Sequence, residues 1–207
     1  MSRPLVICDC DEVLLHMVSH FSDWLGEAHD LDLRIESGSF ADAVRPRDGS
    51  PPLKGEDVWP LLNAFFDTEM DRQTIVPGAS EALIEISEYA EIVILTNLQD
   101  EFRDARAAQL ARFGIEFPVH TNQGGKGERV ETLLADHAPP LAFFVDDLGQ
   151  HHESVARRVP HVWRLHMIAE PSLAVHIPQA EHAHARIDDW HEARRWIIDH
   201  ITEGDSA

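Results

Sequence analysis

Hydrophobic positions along the chain follow two different periods. Leu5-Val6-Ile7-Cys8 is a short continuous apolar run, the pattern of a strand buried on both faces. Met17, Phe21, Trp24 and Ala28 then recur at helical spacing, as do Val58, Leu62, Phe65 and Phe66 within Gly55 to Met70. Between these blocks, Leu31 to Leu53 keeps neither period and carries Pro46, Gly49, Pro51 and Pro52, which predicts loop. Beyond Pro77-Gly78 the order becomes regular. Ala82, Leu83, Ile86 and Tyr89 predict the inner face of a helix, followed by a strand over 91–96 and a helix near 100–113 ended by Gly114. A short strand near 115–120 precedes a helix after Lys126, with Val130, Leu133 and Leu134 facing inward. Pro139-Pro140 separates that helix from a strand over 141–146. A helix near 150–159 ends at Pro160, and His161 to Met167 reads as the last strand. The C-terminal helix takes Asp188 or Asp189 as N-cap and turns Trp190, Ala193, Ile197 and Ile201 to one side.

Strands alternating with helices predict an α/β fold, a Rossmann-like parallel sheet flanked by helices. Residues 16–76 supply no clear sheet strand, and a structureless connection of that size is improbable in a compact domain. They are expected to form a small helical cap subdomain inserted after the first strand, leaving 1–15 and 77–207 as the core. Trp24 and Trp59 are assigned to the cap interior, Trp163 and Trp196 to packing of the main body.

Charge narrows the classes of partner. The chain of 207 residues carries 17 Lys+Arg against 37 Asp+Glu, a formal charge of -20, and such a field repels nucleic acid. A small anionic substrate would need local cations or a metal. No apolar stretch is long enough to span a membrane, and Asp9 interrupts the first apolar run where a signal segment would continue. Cys8 and Cys10 lie two apart in one predicted strand, pointing the same way, a poor arrangement for a disulfide. Two reduced buried thiols predict a cytoplasmic protein. The 14 histidines, His151-His152 and His182-Ala183-His184 included, lack zinc-motif spacing and are read as solvated or capping groups, with a supporting role left open for the pair after Asp147.

Four pieces carry candidate chemistry: Asp9-Cys10-Asp11 after the first strand, Thr96-Asn97 after the second, Lys126 behind Gly124-Gly125, and Asp146-Asp147 after Phe143-Phe144-Val145. The carboxyl ends of strands are where open α/β sheets place ligands. A carboxylate at Asp9 is a competent nucleophile towards phosphorus. Asp11 can protonate a leaving oxygen and then activate water. Thr96, the Asn97 N–H and Lys126 suit a phosphoryl group. Asp146 and Asp147 offer hard oxygen ligands for Mg²⁺, bridging Asp9 and the phosphate. Arg45, Arg47, Lys54 and Arg72 stand out as cations in the insert, and Arg45 or Arg47 is a candidate for selecting an anionic substrate.

In order and spacing the pieces resemble the haloacid dehalogenase-like (HAD) hydrolases, over roughly 1–15 and 77–167, with the insert in the position of that family's type 1 cap. The resemblance implies Asp9 as nucleophile, Asp11 as acid/base with its carbonyl on the metal, Asp147 as the acid usually bound directly to Mg²⁺ and Asp146 alongside. It also implies a central place in the sheet for the Asp9 strand. An acid at Asp11, where the dehalogenases have a bulky non-acid, favours phosphoryl chemistry: a Mg²⁺-dependent phosphatase acting on a small phosphate monoester. A phosphomutase, a phosphonate hydrolase using Lys54 as a Schiff-base lysine, and a catalytically idle binding relative are the alternatives. Receiver domains place their acidic pair before the phosphorylated Asp, whereas here it follows Lys126. Glu12 stands where the family commonly has Gly, and the pattern assigns it no role.

Overall fold

The structure, a computed structural model, describes residues 2–35 and 43–204. Strand β1 (Leu5–Cys8) leads through β2 (Leu15–His16) into α1 (Val18–His29), the paired strands β3 (Leu31–Leu33) and β4 (Val44–Pro46), and α2 (Gly55–Thr68). Strand β5 (Thr74–Ile75) returns the chain to the main body, where α3 (Ala79–Ser87), β6 (Glu91–Thr96), α4 (Arg103–Arg112) and β7 (Val119–Thr121) follow. Next come α5 (Gly127–His137), β8 (Ala142–Asp146), α6 (Gly149–Arg158) and β9 (Trp163–His166). A short α7 (Pro171–Ala174), β10 (Ala185–Arg186) and α8 (Trp190–Gly204) complete it.

The main sheet has six strands in the order β10-β9-β8-β1-β6-β7, every pairing parallel. Its two faces follow from alternation along β1. Val6 and Cys8 face the cluster built with Leu83, Ile86, Trp190 and Ile197, on the side of α3 and α8. Leu5 and Ile7 face Val130, Leu133 and Val155, on the side of α5 and α6. All four are fully buried, and the three aliphatic ones are each worth about 1.5–3 kcal/mol. This strand cannot slip by one residue without exchanging both faces. Cys8 and Cys10 are free, buried thiols of the first cluster. Burial pushes both up in pKa, so they stay protonated packing groups.

The insert packs a cluster of its own around Phe21, Trp24, Leu25, Val58, Phe65 and Phe66, joined by Leu98 from the main body. It is not helical throughout, because β3 and β4 pair antiparallel between α1 and α2. At its roots β2 and β5 pair antiparallel, holding outgoing and returning chain together. Residues 36–42 of the sequence interval read as loop lie outside the described residues. Trp59 differs from the expectation and is 50% exposed. Val58, Phe65 and Phe66 take the inner face of α2, which turns the adjacent Trp59 outward. Likewise Leu25, not the exposed Ala28, continues the buried face of α1, and Tyr89 lies beyond the end of α3. The sixth strand, β10, has no counterpart in the hydrophobic pattern. No helix among the described residues is long and apolar enough to cross a membrane.

Candidate active site

Strand register brings the four sequence pieces to one edge. Cys8 is level with Ile94 on one side and Val145 on the other, so Asp9, Thr96 and Asp146 end adjacent central strands. The Asp9 N–H donates to the Val145 carbonyl at 2.9 Å, fixing the first residue past β1. Lys126 is wholly buried and stands at the start of α5. Its ammonium lies 2.6 Å from Asp9 Oδ1 and 2.7 Å from Asp146 Oδ2. The glycines beside it have steric reasons: Gly124 adopts φ +78°, and a Cβ on Gly127 would collide with the Ser154 carbonyl.

One ammonium cannot neutralise two carboxylates. Burial opposes the charge on Lys126, yet Asp146 and Asp9 outweigh it and hold the ammonium above its usual range. Asp146 resists its own burial through Lys126 and stays below the usual carboxylate range. Asp9 is left with the deficit: burial pushes it up, Lys126 pulls it down, and the charge of Asp146 helps leave it at about 7. The half-buried Asp147 is also raised, first by burial and then by Asp146 and Asp9.

These acids fit a hard divalent cation. Asp9, Asp146 and Asp147 can each turn one carboxylate oxygen to within 4.8 Å of the others. Asp146 has little left to offer, since Oδ2 accepts from Lys126 and Oδ1 from the Leu148 N–H at 2.9 Å. The Asp147 carboxylate accepts no hydrogen bond among the described residues, so of the pair it is the one open to a metal. Two histidines brace this turn. His152 Nε2–H donates to the Asp146 carbonyl at 2.9 Å and His166 Nε2–H to the Asp147 carbonyl at 2.8 Å. For His152 this is the supporting role left open in the sequence; the position of His166 gave no hint, because its ring acts on main chain.

Asp11 is bound differently. Arg106, buried to 0% exposure on α4, donates through Nη2 to Oδ1 at 3.0 Å and Oδ2 at 3.2 Å. Gln73 adds a 2.7 Å bond to Oδ1, and the Thr96 hydroxyl lies 3.5 Å from Oδ2. Sequence reading missed both Arg106 and Gln73. The one available signal was a charged residue sharing a helix face with Leu110, which is buried. Asn97 spends its side chain on loop structure, donating to the Gly124 carbonyl and accepting from Asn122.

Glu12 acquires a structural account. Its φ is +59°, a left-handed position that favours Gly. Its Oε1 accepts from the Met17 and Val18 N–H groups at 2.7 and 2.6 Å, capping α1 at the entrance to the insert. Burial pushes this carboxyl up to about 7 against the pull of those two amides.

Of the insert cations, Arg47 is taken up by Asp32 at 2.8 Å and the Gly26 carbonyl at 3.2 Å. Arg72 pairs with Glu27 and Glu69. Lys54 is exposed at the N-cap of α2. Arg45 is half-buried, and its Nε has no hydrogen-bond partner among the described residues.

No family model and no curated protein sequence matches the chain. Its architecture does match solved structures. YfnB of Bacillus subtilis, in a structure bound to magnesium, superposes with a TM-score of 0.65 at 12% identity over 95% of this chain and 99% of that one. A haloacid dehalogenase-like family hydrolase from Streptococcus pneumoniae gives 0.62 at 11% identity over 93% and 97% of the two chains. A phosphoserine phosphatase, solved as an analogue of its phospho-aspartyl intermediate, gives 0.59 at 14% identity over 95% and 99%. At these identities the likeness is one of architecture, and the chain has the fold of the haloacid dehalogenase-like hydrolases.

Proposed function

We propose that the chain is a Mg²⁺-dependent phosphatase that hydrolyses a small phosphate monoester through an aspartyl-phosphate on Asp9. The observation that carries this is the Asp9 carboxylate at the tip of the central strand, 2.6 Å from a buried lysine shared with Asp146. In the first step an Asp9 oxygen bonds to phosphorus as the ester P–O bond breaks, and Asp11 gives the leaving oxygen a proton. In the second, Asp11 takes a proton from water as that water attacks phosphorus, freeing Asp9 and phosphate. Lys126, the Thr96 hydroxyl and the Asn97 main-chain N–H would hold the phosphoryl oxygens. Asp9, Asp147 and the Asp11 carbonyl would hold Mg²⁺, with Asp146 behind them securing Lys126. When bound, the ion supplies positive charge that offsets the carboxylates and the phosphate.

The resemblance to a phosphoserine phosphatase captured as a phospho-aspartyl analogue supports the covalent route. A phosphonate hydrolase fits less well, since a Schiff-base lysine needs desolvation to lower its pKa and Lys54 is exposed. The two free, buried thiols favour a reducing compartment, the cytoplasm, and the substrate would be a small phosphorylated molecule. Phosphate release from a panel of phosphorylated metabolites and p-nitrophenyl phosphate tests it. Turnover is expected with Mg²⁺, lost with chelator, and lowered more than about 10³-fold by Asp9→Asn. Undiminished release by Asp9→Asn rejects the covalent route. Tight ligand binding without any turnover makes the chain a binding relative.

A further inference from the structure

The proposed chemistry employs one buried cation, Lys126, and leaves another unused. Arg106 comes from α4, the helix that follows the Thr96-Asn97 piece, and is as fully buried as Lys126. The two acids of the Asp9-Cys10-Asp11 loop therefore have separate counter-ions: Lys126 at Asp9, Arg106 at Asp11. Taken on the phosphatase reading above, we infer that Arg106 is a positioning residue for the reaction, fixing the direction of the Asp11 carboxyl and keeping it off Lys126.

The guanidinium is itself fixed. Its Nη1 donates to Gln73 Oε1 and Gln109 Oε1, both at 3.0 Å. Gln109 in turn donates to the Met70 carbonyl at 2.5 Å, and the Phe66 ring lies under the guanidinium at 5.5 Å. Gln73 closes the ring by donating to Asp11. Oδ1 is held by Gln73 and Arg106 at 2.7 and 3.0 Å, whereas Oδ2 has only longer contacts, 3.2 Å to Arg106 and 3.5 Å to Thr96. Asp11 therefore keeps one orientation, and Oδ2 is the oxygen left to carry the proton along a defined path. Once Arg106 is removed, the remaining buried cation near the loop is Lys126, already shared by two acids. Nη2 serves Asp11 while Nη1 serves the two glutamines, a division that the single ammonium of a lysine does not reproduce, so the side chain does more than neutralise charge.

The step that exposes this role is protonation of the leaving oxygen. As the Asp9–phosphorus bond forms and the ester bond breaks, the bonding pair leaves with oxygen, which accepts the Asp11 proton. A nitrophenolate departs without that proton, whereas an alkoxide does not. Benzyl phosphate and p-nitrophenyl phosphate, close in bulk, separate the two cases. Arg106→Met is expected to lower kcat/KM on benzyl phosphate about 10-fold or more while p-nitrophenyl phosphate stays within about threefold. Asp11→Asn should show the same split, and adding Arg106→Met to it should change nothing further. Arg106→Lys and Gln73→Met, which leave less unpaired charge in the interior, carry the same test where Arg106→Met does not fold. Equal losses on both esters, or a full additional loss in the Asp11→Asn background, overturn the inference. If Asp9→Asn retains activity on both esters the covalent route through Asp9 falls and this inference with it; if Asp9→Asn is dead and the split is missing, only the role of Arg106 falls.

Discussion

Lys126 and Arg106 occupy opposite flanks of one loop, and both are buried lysine or arginine side chains paired with aspartates. They differ in sharing. Lys126 divides its charge between Asp9 and Asp146, so the site keeps an excess of negative charge that a metal ion would offset. Arg106 gives Nη2 to one carboxylate and Nη1 to two glutamines. A shared, compact ammonium suits a centre where charge moves during reaction; a planar guanidinium braced on its other nitrogen suits a group that must keep one direction. On the proposed chemistry, the nucleophile's cation is thus electrostatic and the acid's cation is geometric.

Lys126→Met tests that contrast with the largest effect expected. It removes the partner of two buried acids at once, so stability should fall by about 3–5 kcal/mol in urea unfolding. Activity should fall about 10²–10³-fold, as for loss of a preorganised charge at the reacting group. Both esters should lose equally, because the charge acts on the phosphoryl group whatever leaves. A loss confined to benzyl phosphate would erase the distinction between the two cations. Added Mg²⁺ should recover part of the stability, since a metal held by Asp9 and Asp147 relieves the same repulsion.

The two cations also differ in legibility. Lys126 follows Gly124-Gly125 and precedes Gly127, and those glycines are required by a left-handed turn and by contact with Ser154. Such constraints are local and leave a mark in sequence. Arg106 stands in Arg103-Asp104-Ala105-Arg106, where neighbouring arginines are surface groups and only the fold turns one of them inward. Glu12 is intermediate: its backbone explains why Gly is common there, but its bond to α1 depends on where the insert begins. The parallel core was legible because β1, β6 and β8 are buried on both faces and read as continuous apolar runs. β10 was not, since Ala185–Arg186 is held by pairing with β9 and needs no apolar pattern. The β3–β4 pair of the insert escaped for the same reason.

The turn that carries Asp146 and Asp147 gives a smaller, pH-dependent effect. Burial lowers the His152 pKa to about 4, and its Nε2–H holds the Asp146 carbonyl. An unfolded histidine titrates near 6.5. A pKa depressed by folding contributes stability in full above 6.5, lost progressively as pH falls towards 4. Asp9 and Glu12 act oppositely over this range: their raised values favour the folded state at low pH. Comparison with His152→Gln isolates the histidine, because the amide retains a donor without the titration. Between pH 7 and 4.5 the wild type should lose more stability than the variant; parallel pH profiles in urea unfolding would remove His152 from the account.

The smallest effects separate the two arginines of the insert, and they ask whether the cap contributes a cation of either kind. Arg47 already has its partners, with a side chain about half exposed, so Arg47→Ala should leave stability in urea unfolding little changed. It should leave kcat/KM on the best substrate of the panel unchanged. Arg45 is half-buried with an unpartnered Nε, a state that costs stability unless an anion completes it. Arg45→Ala should therefore raise KM about tenfold on an anionic substrate, with kcat little altered, because a charge-assisted bond made equally in ground and transition states acts on binding alone. Selection by Arg45 would add to the contrast a third kind of cation, one neutralised by the substrate and not by the protein. If Arg45→Ala and Arg47→Ala both leave kcat/KM unchanged, substrate charge is read entirely at the core edge, by Lys126 and the metal.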